Sequence, residues 1–272
     1  MKKKYRFEND DWFEADYDEL HRLLAENQQY LTNYEEVFSS LEDDEYVARG
    51  NGFCDRKYSD NFVESQIDKY AHRIEQIEGW LAEWPLVALK EGNVRFVMGK
   101  STRKEDYSAD RERFALGQRP FAVVLCCSDS RVPAEILFDQ GLGDLFVIRN
   151  AGNVVDEDVL GSVEYAVEHL HTKLVVVLGH SNCGAVTATH QGGELPGHIK
   201  SIAERIRPSL QSACCIDDNA RRHAQRMAQL IAENEIVKHE KTQVLAAFYD
   251  VRSGVVDWMC NLYGDRSDDL NS

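Results

Sequence analysis

The sequence predicts an α/β fold, with a mostly parallel, Rossmann-like sheet of four to five strands flanked by helices and an extended helical segment before it. Short apolar runs alternate with helical patterns over the later two thirds of the chain, as in parallel sheets that are buried on both faces. Over the first third, apolar residues recur at steps of three and four, as along amphipathic helices. We therefore expect a helical extension at residues 1–85 and a main domain at residues 86–272.

Two helices are predicted in the extension. Apolar residues at helical spacing mark the first helix, at 18–41, and a turn-rich break follows at 50–52. The second helix covers 63–84, where apolar residues alternate steps of four and three, and Trp84-Pro85 is expected to end it. The apolar seam of this second helix either packs within its own domain or pairs with another subunit or partner.

Five apolar runs are the candidate strands of the main domain. They lie at 121–126, 145–148, 174–178, 244–249 and 255–258. Helical patterns at 160–170, 185–189, 199–210 and 220–233 separate most of them. Strands that alternate with helices usually pair in parallel, because a parallel pair needs a long crossover connection. A short link that contains Arg252-Ser253-Gly254 joins the last two runs, so these two are expected to form a hairpin.

The charge of the chain limits its partners. The formal net charge is −16, and residues 1–85 carry about twenty acidic against about ten basic side chains. An acidic surface repels nucleic acid and anionic membranes, although the acidic extension is a candidate surface for a protein partner. No apolar run is long enough to span a bilayer, and acidic residues follow Lys2-Lys3-Lys4 where a secretion signal would be apolar. A cytoplasmic location is expected, in which the 7 cysteines are thiols, thiolates or metal ligands.

Two polar segments directly follow strongly apolar strands. They are 127–131, with the pattern Cys-Ser-Asp-Ser-Arg, and 180–183, with the pattern His-Ser-Asn-Cys. Because ligands bind beyond the carboxyl ends of parallel strands, both segments are expected at one edge of the sheet. Cys127, His180 and Cys183 together offer two thiolates and an imidazole, which suit Zn²⁺, and three protein ligands leave the fourth position of a catalytic zinc open. His180 and Cys183 are three residues apart, so the start of a helix would put both on one face.

Asp129 and Arg131 lie close to the first of these ligands. The Asp129 carboxylate is placed to accept a hydrogen bond from a hydroxide on the metal, or to bind the metal itself and close the site. Arg131 would keep that carboxylate ionised and oriented. The alternatives are a trio of buried core residues at the three ligand positions and an ordinary ion pair beside a turn.

These residues resemble the β-class carbonic anhydrases, whose shared pattern is Cys-x-Asp-x-Arg followed by His-x-x-Cys. Segments at 88–99, 132–153 and 248–258 are also similar, so the resemblance covers roughly residues 86–260. It implies a zinc-dependent lyase, a carbonate dehydratase, that interconverts carbon dioxide and bicarbonate by means of zinc-bound hydroxide. It places one Zn²⁺ per subunit on Cys127, His180 and Cys183, and it makes Asp129 and Arg131 the catalytic dyad.

The same resemblance assigns further roles. Gln118, nine residues before the first ligand, matches a glutamine that contacts substrate, and Phe146 matches the apolar carbon dioxide pocket. Tyr165 matches a tyrosine that a neighbouring subunit donates to this pocket, and His169 matches a histidine proposed to relay protons. Tyr165 and His169 are one helical turn apart and are expected to share a face. The resemblance thus implies a homo-oligomer with a dimer as its minimal unit.

The sequence departs from the family pattern at one informative position. Members regulated by bicarbonate carry a tryptophan three residues before the first cysteine, where this chain has Val124, although Arg149 matches an arginine of that pocket. We therefore expect the form with Asp129 away from the metal to dominate near neutral pH. The remaining cysteines are expected to be structural or incidental; they are Cys54, Cys126, Cys214, Cys215 and Cys260.

Two other functions fit the same residues. The first is hydrolysis of carbonyl sulfide or carbon disulfide, because both molecules are small, linear and apolar like carbon dioxide. The second is a non-catalytic zinc-binding interaction protein whose acidic extension is the working surface.

Overall fold

The computed structural model describes residues 2–7, 13–42, 56–102 and 106–259. The chain divides into two units, Met1–Trp84 and Pro85–Ser272. No helix in the described ranges is both long and apolar enough to cross a membrane. The break predicted at 50–52 lies outside the described residues, as do Cys54 and Cys260.

The first unit begins with two short antiparallel strands, β1 (Lys3–Tyr5) and β2 (Phe13–Ala15). The helices α1 (Tyr17–Glu42) and α2 (Arg56–Val97) follow them, so the predicted helical extension is confirmed. The sequence did not predict the two strands, because a strand of three residues is too short to display an alternating pattern.

Aromatic side chains pack against one another in the first unit. The ring of Trp80 lies 4.9 Å from that of Tyr5 and 5.2 Å from that of Phe7, measured between centroids. Between α1 and α2, the rings of Tyr30 and Tyr70 stack at 5.1 Å. Tyr70 belongs to the apolar seam of α2, and its contact with Tyr30 favours the first of the two alternatives for this seam, packing within its own unit.

The prediction that Trp84-Pro85 ends the second helix is wrong, because α2 continues through Pro85 to Val97. A proline inside a helix removes one backbone hydrogen bond and costs about 3 kcal/mol. The turns that follow Pro85 are held by tertiary contacts of the second unit. Leu89 is fully buried, and the Asn93 side chain donates hydrogen bonds to two backbone carbonyl groups and accepts one. Packing thus outweighs the local preference of proline.

The second unit contains a five-stranded sheet with the order β4-β3-β5-β6-β7. The first four strands in this order pair in parallel, and β7 pairs antiparallel with β6, which confirms the mostly parallel sheet and the predicted hairpin. The strands are β3 (Ala122–Cys127), β4 (Leu145–Asn150), β5 (Leu174–His180), β6 (Gln243–Tyr249) and β7 (Val256–Trp258).

Helices flank this sheet, as predicted. Residues of β3, β5 and β6 form a common core with apolar side chains of α5, α8 and α9. The helices of this unit are α3 (Ser108–Phe114), α4 (Ala134–Leu137), α5 (Glu157–Glu168), α6 (Gly184–Gln191), α7 (Ile199–Ile206), α8 (Ile216–Ala232) and α9 (Glu235–His239).

The register of the central strands brings two functional segments to one edge of the sheet. Cys126 pairs with Leu178, so Cys127 and His180, which end β3 and β5, emerge side by side at the carboxyl ends of neighbouring parallel strands. Both strands are fully buried, and this fixes their register firmly. The edge at which they end is the place where an open parallel sheet binds ligands.

Candidate metal centre

Three buried side chains meet at this edge of the sheet. The ligand atoms of Cys127, His180 and Cys183 all lie within 4.8 Å of one another. None of the three residues is more than 5% exposed. Two sulfur atoms and one imidazole nitrogen at this separation match the ligand set of a zinc site with one open position.

A turn, and not a helix, brings His180 and Cys183 together, which corrects the prediction that both lie on one helical face. His180 is the last residue of β5, and Cys183 has an extended backbone directly before α6. Between them Asn182 is left-handed, with φ at 53°, a conformation that asparagine tolerates better than most residues. Its N–H donates to the Asp217 carboxylate at 2.9 Å, and this bond holds the turn.

One nitrogen of the His180 imidazole is hydrogen-bonded, and the other is available to bind a metal ion. Nδ1 lies 3.0 Å from the carbonyl oxygen of Ser181, and because a carbonyl only accepts, Nδ1 carries the proton. The other nitrogen, Nε2, is buried and has no hydrogen-bond partner among the described residues. A buried nitrogen without a partner is costly. Coordination of a metal ion by Nε2 satisfies it, so the residues fit zinc.

The sulfur atoms of Cys127 and Cys183 shift each other's pKa in opposite directions. The pKa of Cys127 is lowered, chiefly because Cys183 donates a hydrogen bond to its thiolate, while burial opposes this shift. The same hydrogen bond, together with burial, raises the pKa of Cys183. A metal ion that bound both sulfur atoms would displace the proton that they share.

A backbone N–H group contacts the sulfur of Cys127: that of Gly152 donates a hydrogen bond to Cys127 Sγ at 3.3 Å. The backbone N–H groups of Asp129, for Cys127, and of Ala185 and Val186, for Cys183, favour the thiolate forms and so act to lower the pKa values of the two thiols. Such bonds stabilise thiolates and orient them as ligands. The sequence did not reveal Gly152 as part of this site.

Asp129 and Arg131 form a two-pronged ion pair beside the ligands. Nε of Arg131 donates to Oδ1 of Asp129 at 2.9 Å, and Nη2 donates to Oδ2 at 2.7 Å. These bonds from Arg131 hold the pKa of the Asp129 carboxyl group well below its usual range. Nη2 also lies 3.4 Å from the carbonyl oxygen of Asn182, so Arg131 links the two ligand segments.

Arg149 stabilises the end of β3 through hydrogen bonds to backbone carbonyl groups. Its guanidinium group donates to the carbonyl oxygen of Cys127 at 3.1 and 3.2 Å, and to that of Asp129 at 2.7 Å. The family resemblance related Arg149 only to the pocket at which bicarbonate regulates some family members. Strand register places Arg149 next to Cys126, but the direction of a long side chain could not be derived from the sequence.

The adjacent cysteine, Cys126, has different surroundings. Its Sγ atom lies 3.8 Å from the carbonyl oxygen of Val132, and burial raises its pKa to about 12. Because successive residues of a strand point to opposite faces, Cys126 and Cys127 diverge. Cys214 and Cys215 are free cysteines outside the ligand group.

Gln118 and Phe146 lie toward the opposite edge of the sheet. Phe146 pairs with Val123, four residues before Cys127, which corresponds to about 13 Å along the strand. Gln118 is exposed in the segment before β3, and β3 itself spans about 17 Å. Neither side chain therefore joins the three candidate metal ligands of the same chain.

Phe146, Tyr165 and His169 form a surface group of rings. The ring centroids of Phe146 and Tyr165 are 6.4 Å apart, and those of Tyr165 and His169 are 5.3 Å apart. Tyr165 is 47% exposed, and the His169 side chain is 62% exposed. The structure thus brings these three predicted site residues together, on a surface separate from the candidate metal ligands of the same chain.

Sequence comparison identifies relatives of this chain. The profile of the family described as "Carbonic anhydrase" matches residues 122–256. The chain is 42% identical to "Carbonic anhydrase 2" of Mycobacterium tuberculosis over 188 residues, covering 64% of this chain and 90% of that protein. It is 53% identical to "Carbonic anhydrase" of Mycolicibacterium smegmatis over 134 residues, covering 48% of this chain and 64% of that protein.

Comparison with solved structures also finds β-class carbonic anhydrases. The β-carbonic anhydrase CafA of Aspergillus fumigatus matches with a TM-score of 0.51 and 27% identity, over 56% of this chain and 83% of that chain. The β-carbonic anhydrase CcaA matches with the same TM-score at 22% identity, over 65% of this chain and 92% of that chain, and supports the fold alone.

A mostly parallel sheet that carries a Cys-His-Cys group at its carboxyl edge defines an α/β protein with a candidate catalytic zinc site. The chain belongs to the β-class carbonic anhydrase family. Its cofactor is zinc, and its reaction is the reversible hydration of carbon dioxide to bicarbonate and a proton. The comparisons do not favour the alternatives, a carbonyl sulfide or carbon disulfide hydrolase or a non-catalytic zinc-binding protein.

Proposed function

We propose that Cys127, His180 and Cys183 hold the zinc of this carbonic anhydrase, and that Asp129 and Arg131 are its catalytic dyad. The observation that carries the proposal is the convergence of three buried ligand atoms within 4.8 Å. The unpartnered Nε2 of His180 supports it independently, because this atom needs a partner that the described residues do not supply.

Bound zinc supplies Lewis acidity, which makes water a nucleophile near neutral pH. The reaction forms one carbon–oxygen bond and releases one proton, so the protein must orient the attacking oxygen and accept that proton. Asp129 is ionised and accepts a hydrogen bond from the attacking group, which directs an oxygen lone pair at carbon. Arg131 engages both carboxylate oxygens and keeps Asp129 in this role, away from the metal.

A direct test measures zinc content and carbon dioxide hydration on the same preparation. We expect one zinc per chain and rapid hydration at pH 8.5. A protein with a full complement of zinc and no hydration would contradict the catalytic role. Rates on carbonyl sulfide and carbon disulfide, measured in parallel, should be much lower than the rate on carbon dioxide.

We also propose that the active unit is a homodimer in which Gln118, Phe146 and Tyr165 of one subunit complete the site of the other. The distances along β3 and β4 support this, because these side chains are too far from the ligands of their own subunit. In this arrangement Phe146 and Tyr165 form an apolar wall for carbon dioxide. Gln118 donates to a substrate oxygen. His169, one turn from Tyr165, receives the released proton.

Subunit mixing tests the shared site. Two inactive variants, Gln118→Ala and Asp129→Asn, are prepared separately and then mixed under conditions that exchange subunits. If Gln118 acts across the interface, each mixed dimer contains one site with both side chains intact, and activity returns. If Gln118 acts within its own subunit, every site in the mixed dimer stays defective. No recovery, with exchange proven by mass spectrometry of the intact dimer, would refute the shared site.

Finally, we propose that residues 1–85 form an extension that binds a protein partner, while residues 86–272 form the catalytic domain. The acidic excess of the extension supports this division. Deletion of residues 1–60 should leave carbon dioxide hydration intact and abolish the complex. Loss of hydration with no change in binding would contradict the division.

A cytoplasmic location, supported by the free thiols, is testable by cell fractionation.

A further inference from the structure

A second buried histidine lies behind the metal centre. Among the described residues, His180 and His223 are the buried histidines, and His223 is only 1% exposed. His223 is on α8 and belongs neither to the ligand group nor to the dyad. A buried ionisable side chain that the reaction does not use needs a physical explanation.

Both ring nitrogens of His223 are bonded. Nε2 lies 2.8 Å from the carbonyl oxygen of Gly152, and Nδ1 lies 3.1 Å from the hydroxyl oxygen of Ser209. The carbonyl can only accept, so Nε2 carries the proton and Nδ1 accepts the hydroxyl hydrogen of Ser209. Burial lowers the pKa of His223 to about 4, so the ring is neutral above that pH and keeps this tautomer.

Gly152 connects His223 to a metal ligand. Its carbonyl accepts from His223, and its N–H donates to the sulfur of Cys127 at 3.3 Å. The backbone of Gly152 is left-handed, with φ at 75°. An added Cβ atom would lie 2.8 Å from Cδ1 of Ile206 and 3.0 Å from Cβ of Ala185. The residue thus occupies a tight site, and His223 anchors it from the side opposite the sulfur.

The same helix holds the other end of this loop. The N–H of Val155 lies 3.2 Å from the sulfur of Met227, one turn after His223 on α8. Met227 is fully buried, and it belongs to the core beneath the sheet. Helix α8 therefore fixes the segment between Gly152 and Val155 at two points.

We propose that His223 is a positioning residue for the metal centre, which holds Gly152 so that its N–H stays on the sulfur of Cys127. The inference rests on the proposed role of Cys127 as a zinc ligand. An N–H···S bond withdraws charge from a thiolate and fixes its direction. Loss of the bond from His223 releases Gly152, so the sulfur is no longer held in its direction, binds metal more weakly and donates more charge to it.

The test compares two variants at position 223 with a control elsewhere on α8. His223→Leu removes both hydrogen bonds, whereas the amide of His223→Gln can donate to Gly152 and accept from Ser209. Ile231→Val is the control, because Ile231 is fully buried on the same helix and its apolar side chain cannot form a hydrogen bond with Gly152 or Ser209. Zinc affinity is measured by competition with a chromophoric chelator. The thiolate-to-metal absorption of the Co²⁺-substituted protein reports the charge on the sulfur atoms.

We expect His223→Leu to weaken zinc binding by about 10- to 100-fold, the usual effect of removing an outer contact of a metal site. Its cobalt–thiolate band should shift to lower energy, because the sulfur donates more charge. His223→Gln should restore most of the affinity and the band position, and Ile231→Val should leave both unchanged.

Several outcomes would overturn the inference. One is zinc affinity within threefold of the unmodified protein, with an unshifted cobalt band, in His223→Leu. Another is equal loss in His223→Gln and His223→Leu, which would indicate a requirement for ring shape. If His223→Leu does not fold, the variant Ser209→Ala tests the inference instead. It removes the hydrogen-bond partner of His223 Nδ1 and should weaken zinc binding about threefold or more, and an unchanged zinc affinity would overturn the inference. An unmodified chain that binds no zinc would instead refute the proposed metal site.

Discussion

Arg131 bonds both carboxylate oxygens of Asp129, with Nε 2.9 Å from Oδ1 and Nη2 2.7 Å from Oδ2. The N–H of Arg131 adds a third bond, at 3.0 Å to Oδ1. This geometry fixes the plane of the carboxylate and keeps it ionised. A rigid, charged acceptor beside the ligand group is suited to orienting one hydrogen of a reacting molecule.

Replacing Asp129 with asparagine should lower kcat for carbon dioxide hydration by about 10²- to 10⁴-fold, the usual contribution of a positioned proton acceptor. Zinc content should stay at one per chain, because Asp129 is not among the ligands. Stopped-flow hydration and metal analysis measure these two effects. The control is Asp158→Asn in the first turn of α5, which should leave kcat unchanged. Full activity in Asp129→Asn would show that the dyad is dispensable.

The two adjacent cysteines should respond oppositely to substitution. Cys127→Ala should lose stoichiometric zinc, since one of three ligands is removed. Cys126→Ala should keep zinc, because its sulfur lies against the Val132 carbonyl, and should lose about 1 kcal/mol of unfolding free energy. Metal analysis of the folded proteins distinguishes the two. Retention of tight zinc by Cys127→Ala would exclude this residue as a ligand.

Alanine at Gly152 should damage the metal centre. The left-handed backbone and the close approach of Ile206 and Ala185 predict a loss of about 1–3 kcal/mol in unfolding free energy. Zinc affinity should fall with it, because the N–H bond to Cys127 is displaced. The matched control is Gly161→Ala on α5, where an added Cβ atom meets nothing within 4 Å and should stabilise by up to about 1 kcal/mol. Equal stability of both variants would contradict the strain at Gly152.

Asp139 should make the stability of the fold pH-dependent in acid. Burial alone would raise its pKa, but hydrogen bonds from Arg95, Ser101 and Thr102 outweigh burial and lower it to about 2. A carboxyl group whose folded pKa is depressed stabilises the fold above its unfolded pKa, near 3.9, and this contribution disappears as pH falls toward 2. Asp139→Asn should therefore cost about 2–3 kcal/mol at pH 7.

The difference between Asp139→Asn and the unmodified protein should shrink between pH 4 and pH 2. Denaturant unfolding of the metal-free proteins across this range measures it. Lys173, whose ammonium group pairs with Glu240 at the surface, supplies a control. Lys173→Gln should change the free energy of unfolding by less than about 1 kcal/mol. A pH-independent difference for Asp139→Asn would refute the assignment.

Much of the fold could be derived from the sequence because it depends on local patterns. Continuous apolar runs identified the buried strands β3 and β5, and short connections identified the hairpin of β6 and β7. Cys127 and His180 are the last residues of these two strands, so the carboxyl-edge rule sufficed to bring them together. The continuation of α2 through Pro85 was missed because its cause is packing with residues distant in sequence.

The sequence by itself determined the parallel sheet, the identity of the three candidate ligands and the Asp129–Arg131 pair, since residue type and spacing encode these features. Only the tertiary structure decided that a left-handed turn at Asn182 joins two ligands, that Gly152 bonds a ligand sulfur, and that His223 stands behind Gly152. It also separated Phe146 and Tyr165 from the candidate metal ligands of the same chain. The physical reason is that these relationships depend on distances between segments far apart along the chain, which no local pattern specifies.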